Sequence, residues 1–218
     1  MEIKDTRLSR VAEAYTRERL EMVESQLVAR DIAQPDLLAA FKRVPRHLFV
    51  PAIARQQAYA DHPLHIGDGQ TISQPYIVAY MVERLRLGKG DRVLEIGSGC
   101  GYQTAILAEL TAEVWSLEIR RTLAEDARRR LHALGYQNVR VLHADGYDGL
   151  ANQAPFDAII LSAAPPRIPR ELISQLGQTG RLIAPVGVEN QQLVFVSKTE
   201  GELKLEPDLA VRFVPMTR

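Results

Sequence analysis

The stretch Val93-Leu94-Glu95-Ile96-Gly97-Ser98-Gly99-Cys100-Gly101 decides how the rest of the chain is read. Residues 92–96 form a short, largely apolar run of the kind a buried strand takes, and the run stops at three glycines on alternate positions. A helical pattern follows over residues 102–110. Strand, glycine turn and helix in that order suit a ligand. Without a Cβ the turn can adopt unusual dihedrals, and a bound molecule can lie directly against the backbone N–H groups at the helix start. The spacing narrows the choice of ligand. A dinucleotide fingerprint beginning at Gly97 needs glycine where Tyr102 stands, and a phosphate-binding loop needs Gly-Lys followed by Ser or Thr. Neither pattern is present. The plain alternative is a tight turn whose glycines serve helix-on-sheet packing.

Working outward, strand-like and helix-like segments alternate. Residues 76–87 read as a helix stopped by Gly88, 113–117 as a strand, 122–134 as a helix capped by Gly135, and 139–143 and 156–161 as strands. A helix over 169–176 precedes Gly177, and strands are expected at 181–185, 193–196 and finally 211–214. The alternation implies an α/β fold with a doubly wound, mainly parallel sheet, which binds ligands at the carboxyl ends of its strands. Two acids stand there. Glu118 ends the second strand, where a carboxylate can accept from ribose hydroxyls, and Asp145-Gly146 follows the third, where a carboxylate can accept from an adenine amino group beside a glycine that leaves room for the ring. Each acid alone reads more readily as a solvated strand end; their joint arrival at successive strand ends points to a nucleoside.

The N-terminal third differs in texture. Val11, Tyr15, Leu20, Val23 and Leu27 recur at helical spacing over residues 7–30, and Pro35-Asp36 opens a second helix that Val44-Pro45 closes. Residues 51–75 hold several prolines, Gly67 and Gly69, and their polar members Gln70, Thr71, Ser73 and Gln74 show no amphipathic period. That pattern predicts a long ordered loop, and long loops in compact domains are usually functional.

Composition sets the outer limits. The 218 residues, 46% of them hydrophobic, are enough for one compact domain with a real core, and nothing in the sequence marks a linker. Lys and Arg number 27 against 27 Asp and Glu, so no global field steers the chain to nucleic acid or to an anionic membrane. No apolar run reaches the roughly 18 to 20 residues of a membrane span, and MEIKDTRLSR lacks the apolar stretch of a signal peptide. The expectation is a cytoplasmic monomer without nucleic-acid or membrane partners. The single cysteine, Cys100, excludes an internal disulfide, and the five histidines show no HExxH spacing, so no metal is expected.

The acid-x-Gly-x-Gly-x-Gly turn from Glu95 to Gly101 resembles the cofactor turn of class I S-adenosylmethionine-dependent methyltransferases, a Rossmann-like fold. Over nearly the whole chain the sequence resembles the protein-L-isoaspartate O-methyltransferase family in its bacterial form. Val44-Pro45-Arg46-His47-Leu48-Phe49-Val50-Pro51 is similar to its VPRxxFVP segment, and Gly67-Asp68-Gly69-Gln70-Thr71-Ile72-Ser73-Gln74-Pro75 to its diagnostic GxGQTISQP loop. Ser162-Ala163-Ala164-Pro165-Pro166 resembles the substrate turn, and Phe213-Val214-Pro215-Met216-Thr217 the terminal FVPL-like motif. Departures are mild: Cys100 replaces a common Ser, Ser162 a frequent Thr, and Met216 the usual Leu.

The resemblance implies a methyltransferase domain over 1–218, with N-terminal helices and an active-site loop over 1–75 and a Rossmann-like core over 76–218. It implies a repair activity. A methyl group would pass from S-adenosylmethionine to the free α-carboxylate of L-isoaspartyl residues in damaged proteins and peptides, which then return through a succinimide to aspartate. Ser73 would be the catalytic residue. The cofactor would be held by Gln70, Thr71, Ile72, Glu95, Gly97, Ser98, Gly99, Gly101, Glu118, Asp145, Gly146 and Thr217, and the substrate by Ala163, Ala164, Pro165 and Val214. Local readings stay open beside these roles: a helix cap for Ser73 and a rigid proline loop for 162–166. A methyltransferase of a small-molecule carboxylate, a nucleic-acid methyltransferase and a non-catalytic cofactor-binding module are the competing classes.

Overall fold

The computed structural model describes residues 6–199 and 201–218, with side chains from residue 13 onward; the side chain of Val11 and residues 1–5 of the N-terminal segment lie outside the described residues. Seven strands form one sheet. In chain order they are β3 (Arg92–Ile96), β4 (Glu113–Glu118), β5 (Val139–His143), β6 (Phe156–Leu161), β7 (Leu176–Val186), β8 (Gln191–Thr199) and β9 (Glu202–Val211), after a separate hairpin of β1 (Leu64–Gly67) and β2 (Gln70–Ile72). The spatial order is β5-β4-β3-β6-β7-β8-β9. The pairs from β5 to β7 are parallel and the last two are antiparallel. The chain therefore leaves β3 in one direction for β4 and β5, then returns to the other side of β3 for β6. That reversal makes the crevice at the carboxyl ends of β3 and β6 the expected ligand position.

Alternation along the strands divides the core in two. Val93, Val114, Val141 and Ile160 join one cluster with apolar residues of α2 (Pro35–Arg43), α3 (Pro75–Leu85), α4 (Tyr102–Leu110) and α5 (Arg121–Ala133), and with Val23 and Leu27. Leu94, Ile96, Leu117 and Leu161 join the other with Leu172 of α6 (Arg170–Ser174), Val196 and Met216. Within the described residues no helix is long and apolar enough to cross a membrane.

Four expectations need correction. The first helix, α1 (Thr6–Met22), widens into a π turn at Val23–Leu27 and tightens to 3-10 at Val28–Arg30; the wider turn carries Val23 and Leu27 into the core, while Leu20 stays 41% exposed. Residues 51–75 are not an irregular loop throughout. They hold a 3-10 segment, Ala52–Gln57, and the β1–β2 hairpin, whose Asp68-Gly69 corner has positive φ at both residues (49° and 70°), as a tight primed turn demands. Helix α6 is shorter than residues 169–176 because Leu176 already pairs with Phe156 in the sheet. The last strand is Glu202–Val211 and not 211–214, since the charged alternation of an edge strand carries no apolar run for a sequence reading to find.

Candidate active site

The glycine turn lies at the end of β3, and its three glycines have φ of +92°, +52° and +88° at Gly97, Gly99 and Gly101. A side chain would strain each of them. Close packing adds a second reason at two positions. A Cβ on Gly99 would sit 3.2 Å from Ile66 Cδ1 of the hairpin, and one on Gly101 would sit 3.1 Å from Leu131 Cδ1 and 3.3 Å from Ala127 Cβ of α5. The packing reading thus holds at Gly99 and Gly101, and the positive φ values explain all three glycines.

Two buried carboxylates brace the turn from the sheet. Glu95 is fully buried on the α4 side of β3, where its Oε2 accepts from Thr104 Oγ1 and Ser116 Oγ, both at 2.5 Å, and its Oε1 from Gln103 Nε2 at 3.0 Å. Burial raises its pKa to about 7, against the hydrogen bonds from Ser116, Thr104 and Gln103 that favour the ion. Glu118 is 5% exposed at the end of β4; its Oε2 accepts from the N–H of Gly99 at 2.8 Å and its Oε1 from that of Arg120 at 2.9 Å. Each carboxylate oxygen can accept a second bond, so Glu118 keeps acceptor capacity for a ligand.

The opposite wall is the β2 end and the residues after it. Ser73 does not cap α3: Gln74 is the N-cap, without a side-chain bond to the helix, and its amide donates instead to Asp61 Oδ1 at 2.8 Å. The carbonyl of Ser73 accepts from Arg46 Nη2 at 2.8 Å. Arg46 is fully buried, donates from Nε to the Ala58 carbonyl at 2.7 Å, stands 4.9 Å over the Tyr102 ring, and has no partner at Nη1. Burial pushes its pKa below the ordinary guanidinium value. Sequence reasoning quoted Arg46 within a motif and gave it no role, because nothing in the local pattern says that a charged side chain will be carried inward.

The third wall is made by the turn after β6 and the C-terminal strap. Ser162 N donates to the Ile96 carbonyl at 2.8 Å, and a Cβ on Gly97 would meet Ser162 Cβ at 3.5 Å. Ala164 N–H donates to Val214 O at 2.8 Å, and Ala164 O accepts from Met216 N at 2.9 Å, so the backbone of Ala164 holds the strap. The carbonyl of Pro165 is likewise taken, by Gly187 N at 3.0 Å. Gly146 has no space for a side chain: a Cβ there would meet Ile96 Cγ2 at 2.3 Å and Met216 Cε at 3.2 Å, two residues that line the cleft beside it.

These walls enclose one cleft of about 840 Å³ including its open mouth, within the usual range of small-molecule sites. It is lined by Gln70, Thr71, Ile72 and Ser73 from the hairpin side, by Gly97, Ser98, Gly99, Glu118 and Gly146 from the sheet, and by Ala163, Val214 and Thr217. Four expected site residues stand outside the lining besides Pro165: Glu95 beneath the turn, Gly101 packed on α5, Ala164 in the strap, and Asp145. Asp145 accepts from Tyr147 N at 2.8 Å and pairs with the exposed Arg218 at 3.4 Å. Cys100 also lines the cleft, but it is 5% exposed and burial raises its pKa, which keeps it a thiol and no nucleophile. The lining fits a nucleoside with an amino-acid tail: a buried ribose-type acceptor in Glu118, apolar Ile96, Leu117 and Met216 for a purine, and the backbone of the glycine turn for the tail, through its carbonyls, since the N–H groups of Gly97 and Ser98 are bonded to Leu117 O and that of Gly99 to Glu118 Oε2.

Comparison with known proteins agrees. The family model for protein-L-isoaspartate(D-aspartate) O-methyltransferase matches residues 17–218. A Picosynechococcus protein named protein-L-isoaspartate O-methyltransferase is 52% identical over 198 residues, covering 91% of this chain and 89% of its own. One of the same name from Methanoculleus marisnigri is 52% identical over 206 residues, 94% of each chain. Among solved structures, one protein-L-isoaspartate O-methyltransferase matches with a TM-score of 0.83 and 29% identity, over 91% of this chain and 66% of that one. A Plasmodium falciparum protein of the same description, in complex with S-adenosyl-L-homocysteine, matches with a TM-score of 0.80 and 26% identity, over 91% and 98%.

Proposed function

The chain belongs to the protein-L-isoaspartate(D-aspartate) O-methyltransferase family, and from that premise we propose how its residues divide the work of an S-adenosylmethionine-dependent repair enzyme. The enzyme methylates the free α-carboxylate of L-isoaspartyl residues in damaged proteins and peptides. Glu118 holds the ribose hydroxyls, and the backbone of Gly97, Ser98 and Gly99 the amino-acid tail. Thr217 and Gln70 to Ile72 close the cofactor in, with Asp145 and Gly146 at the adenine end; the exposed contact with Arg218 leaves Asp145 lone pairs for the amino group. In this reading Glu95 and Gly101 act from behind the turn, Glu95 through Gln103, Thr104 and Ser116, and Gly101 by admitting α5. Ala163 and Val214 face the peptide, with Ala164 fixing the strap behind them and Pro165 tied to Gly187 after β7.

When bound, S-adenosylmethionine supplies a sulfonium methyl open to direct displacement. The protein's task is then alignment. A peptide α-carboxylate has a pKa near 3.5, so at neutral pH the nucleophile is already ionised and no residue has to serve as general base. Ser73 therefore acts as a donor that orients the carboxylate, and Arg46 fixes Ser73 by holding its carbonyl. In the ester formed, methoxide is a better leaving group than the oxygen of a carboxylate: the neighbouring amide nitrogen attacks the ester carbonyl, the C–OCH3 bond breaks, and methanol leaves with the amide proton, closing the succinimide without further help from the protein.

The observation that carries this reading is a single cleft lined both by the glycine turn with Glu118 and by Ser73. One domain, with residues 1–75 and 76–218 as parts of it, is supported by the core cluster that Leu37, Phe41 and Phe49 share with Val78, Val93 and Tyr102. A cytoplasmic monomer without nucleic-acid partners is supported by the balanced charge and by the free thiol of Cys100. The decisive assay offers an isoaspartyl peptide and its normal-aspartyl twin at equal concentration and neutral pH, and quantifies methyl ester before it cyclises. Methylation of the isoaspartyl peptide alone is expected. Equal rates would leave a general carboxyl methyltransferase, and no methylation of either peptide would favour a small-molecule acceptor.

A further inference from the structure

We propose that Ser162 is a second hydroxyl donor to the acceptor carboxylate, on a different wall of the cleft from Ser73 and held in that role by Gln103 as a positioning residue. The inference rests on the isoaspartyl-methylating reading above and adds a substrate-contacting residue to it. Ser162 follows the last residue of β6, directly beside the end of β3, and its backbone is fixed there by the bond from its N–H to the Ile96 carbonyl. The hydroxyl is fixed as well. Gln103 Nε2 donates to Ser162 Oγ at 2.8 Å and to Glu95 Oε1 at 3.0 Å, so both amide protons are committed and the amide can turn neither way without losing a bond to the buried carboxylate. Glu95 is in turn held by Thr104 and Ser116, which anchors the whole chain of contacts in the core beneath the turn.

A hydroxyl has one proton and two lone pairs. With Gln103 donating to it, the Ser162 oxygen is the acceptor in that contact, and its own proton finds no acceptor among the described residues. Ser162 lines the cleft together with Gln103 and Ser73. Gly97, the first glycine of the cofactor turn, is the neighbour of Ser162 there: a Cβ on it would lie 3.5 Å from Ser162 Cβ, so the turn puts no side chain of its own between that glycine and the serine. The chemistry asks for such a donor. One carboxylate oxygen must keep a lone pair aimed at the methyl carbon: that pair forms the new C–O bond, the C–S bond breaks with its pair remaining on sulfur, and no proton moves. The other oxygen is free to accept. Donors on two different walls, Ser73 on the hairpin side and Ser162 in the turn after β6, fix both its position and the rotation of the carboxylate plane, which a single donor cannot do.

The test uses the full chain, an isoaspartyl peptide in steady state, and calorimetry with S-adenosylhomocysteine. Ser162→Ala is expected to lower kcat/KM for the peptide by about 10- to 100-fold, the size of one hydrogen bond to a charged group, with S-adenosylhomocysteine affinity within about twofold of the wild type. Ser162→Thr, which keeps the hydroxyl, is expected to restore most of the activity. Gln103→Met should fall less far, and the double variant should be no worse than Ser162→Ala, because the glutamine acts through the serine. A near-normal kcat/KM in Ser162→Ala, an equal loss of S-adenosylhomocysteine affinity, or additive losses in the double variant would each overturn the assignment while leaving the repair activity standing. A wild-type chain that binds S-adenosylhomocysteine and yet leaves the isoaspartyl peptide untouched sinks both.

Discussion

Two of the three walls of the cleft are held by opposite kinds of buried group. On the sheet side Glu95 and Glu118 accept bonds from hydroxyls, an amide and backbone N–H groups; on the hairpin side Arg46 donates to the carbonyls of Ala58 and Ser73. Neither set is paired ion to ion. Each charge is instead compensated by neutral dipoles, which costs desolvation and gives directional control of one backbone segment apiece. The sheet-side acids hold the glycine turn, and the arginine holds the backbone at Ser73. Under the proposed assignment, cofactor binding and acceptor alignment rest on separable sets of contacts, and the two sets are expected to answer differently to pH and to substitution.

The largest effect expected is on the sheet side. Glu95 has its pKa raised in the folded chain from an ordinary 4.5 to about 7, so the folded state binds the proton more tightly; the stability this provides is fully present below pH 4.5 and is lost as the pH rises through about 7. Denaturant unfolding across that window should show the wild type losing on the order of 3 kcal/mol relative to Glu95→Gln. Parallel curves for the two proteins would mean that the acid is solvated in the native state.

Next in size, Glu118→Ala should weaken S-adenosylmethionine binding by about 1.5 to 3 kcal/mol, read by calorimetry. Unchanged affinity would remove Glu118 from the ribose and break the assignment of the cofactor to the sheet wall. On the other wall, Arg46→Lys keeps the charge and loses the planar fork that reaches two carbonyls at once. About a tenfold fall in turnover is expected, with cofactor affinity within twofold. Equal losses in both quantities would show the walls to be one mechanical unit. The smallest effect concerns His47, stacked on Tyr15 at 4.2 Å and bonded through Nδ1 to Tyr59 Oη at 2.7 Å. Its pKa is pushed down to about 4 by burial and then by the charges of Arg19 and Arg55, so its contribution is present above about pH 6.5 and is lost as the pH falls through 4. His47→Gln should therefore flatten a modest acid-side loss of stability, opposite in sign to the Glu95 effect. A variant as acid-sensitive as the wild type would show His47 protonating freely.

The two walls also differ in how far they could be read in advance. Residues 92–96, 102–110, 139–143 and 156–161 take the strand and helix limits that their apolar patterns announce, and the glycine turn falls between the first two. The hairpin was legible too, in the Asp68-Gly69 corner between Leu64-His65-Ile66 and Gln70-Thr71-Ile72, but its few apolar residues hid the strand period. Arg46 and Gln103 carry no such sign. Each is polar and each is buried by partners 8 to 59 positions away, Glu95, Ala58, Ser73 and Ser162 among them.

The amino-acid sequence alone determined the family, the doubly wound sheet, the cofactor turn and the acid at the end of β4, because these depend on local dihedral freedom, on strand and helix periods and on motifs read along the chain. Only the tertiary structure decided which of the expected residues reach the cleft. It set Glu95 and Gly101 behind the turn, spent the backbone of Ala164 on the C-terminal strap, and brought Arg46 under Ser73 and Gln103 against Ser162. The physical reason is that a buried polar group takes whichever partner the packed elements bring within hydrogen-bond reach, and that meeting is fixed by the crossing of β3, β6 and the hairpin, not by neighbours in sequence.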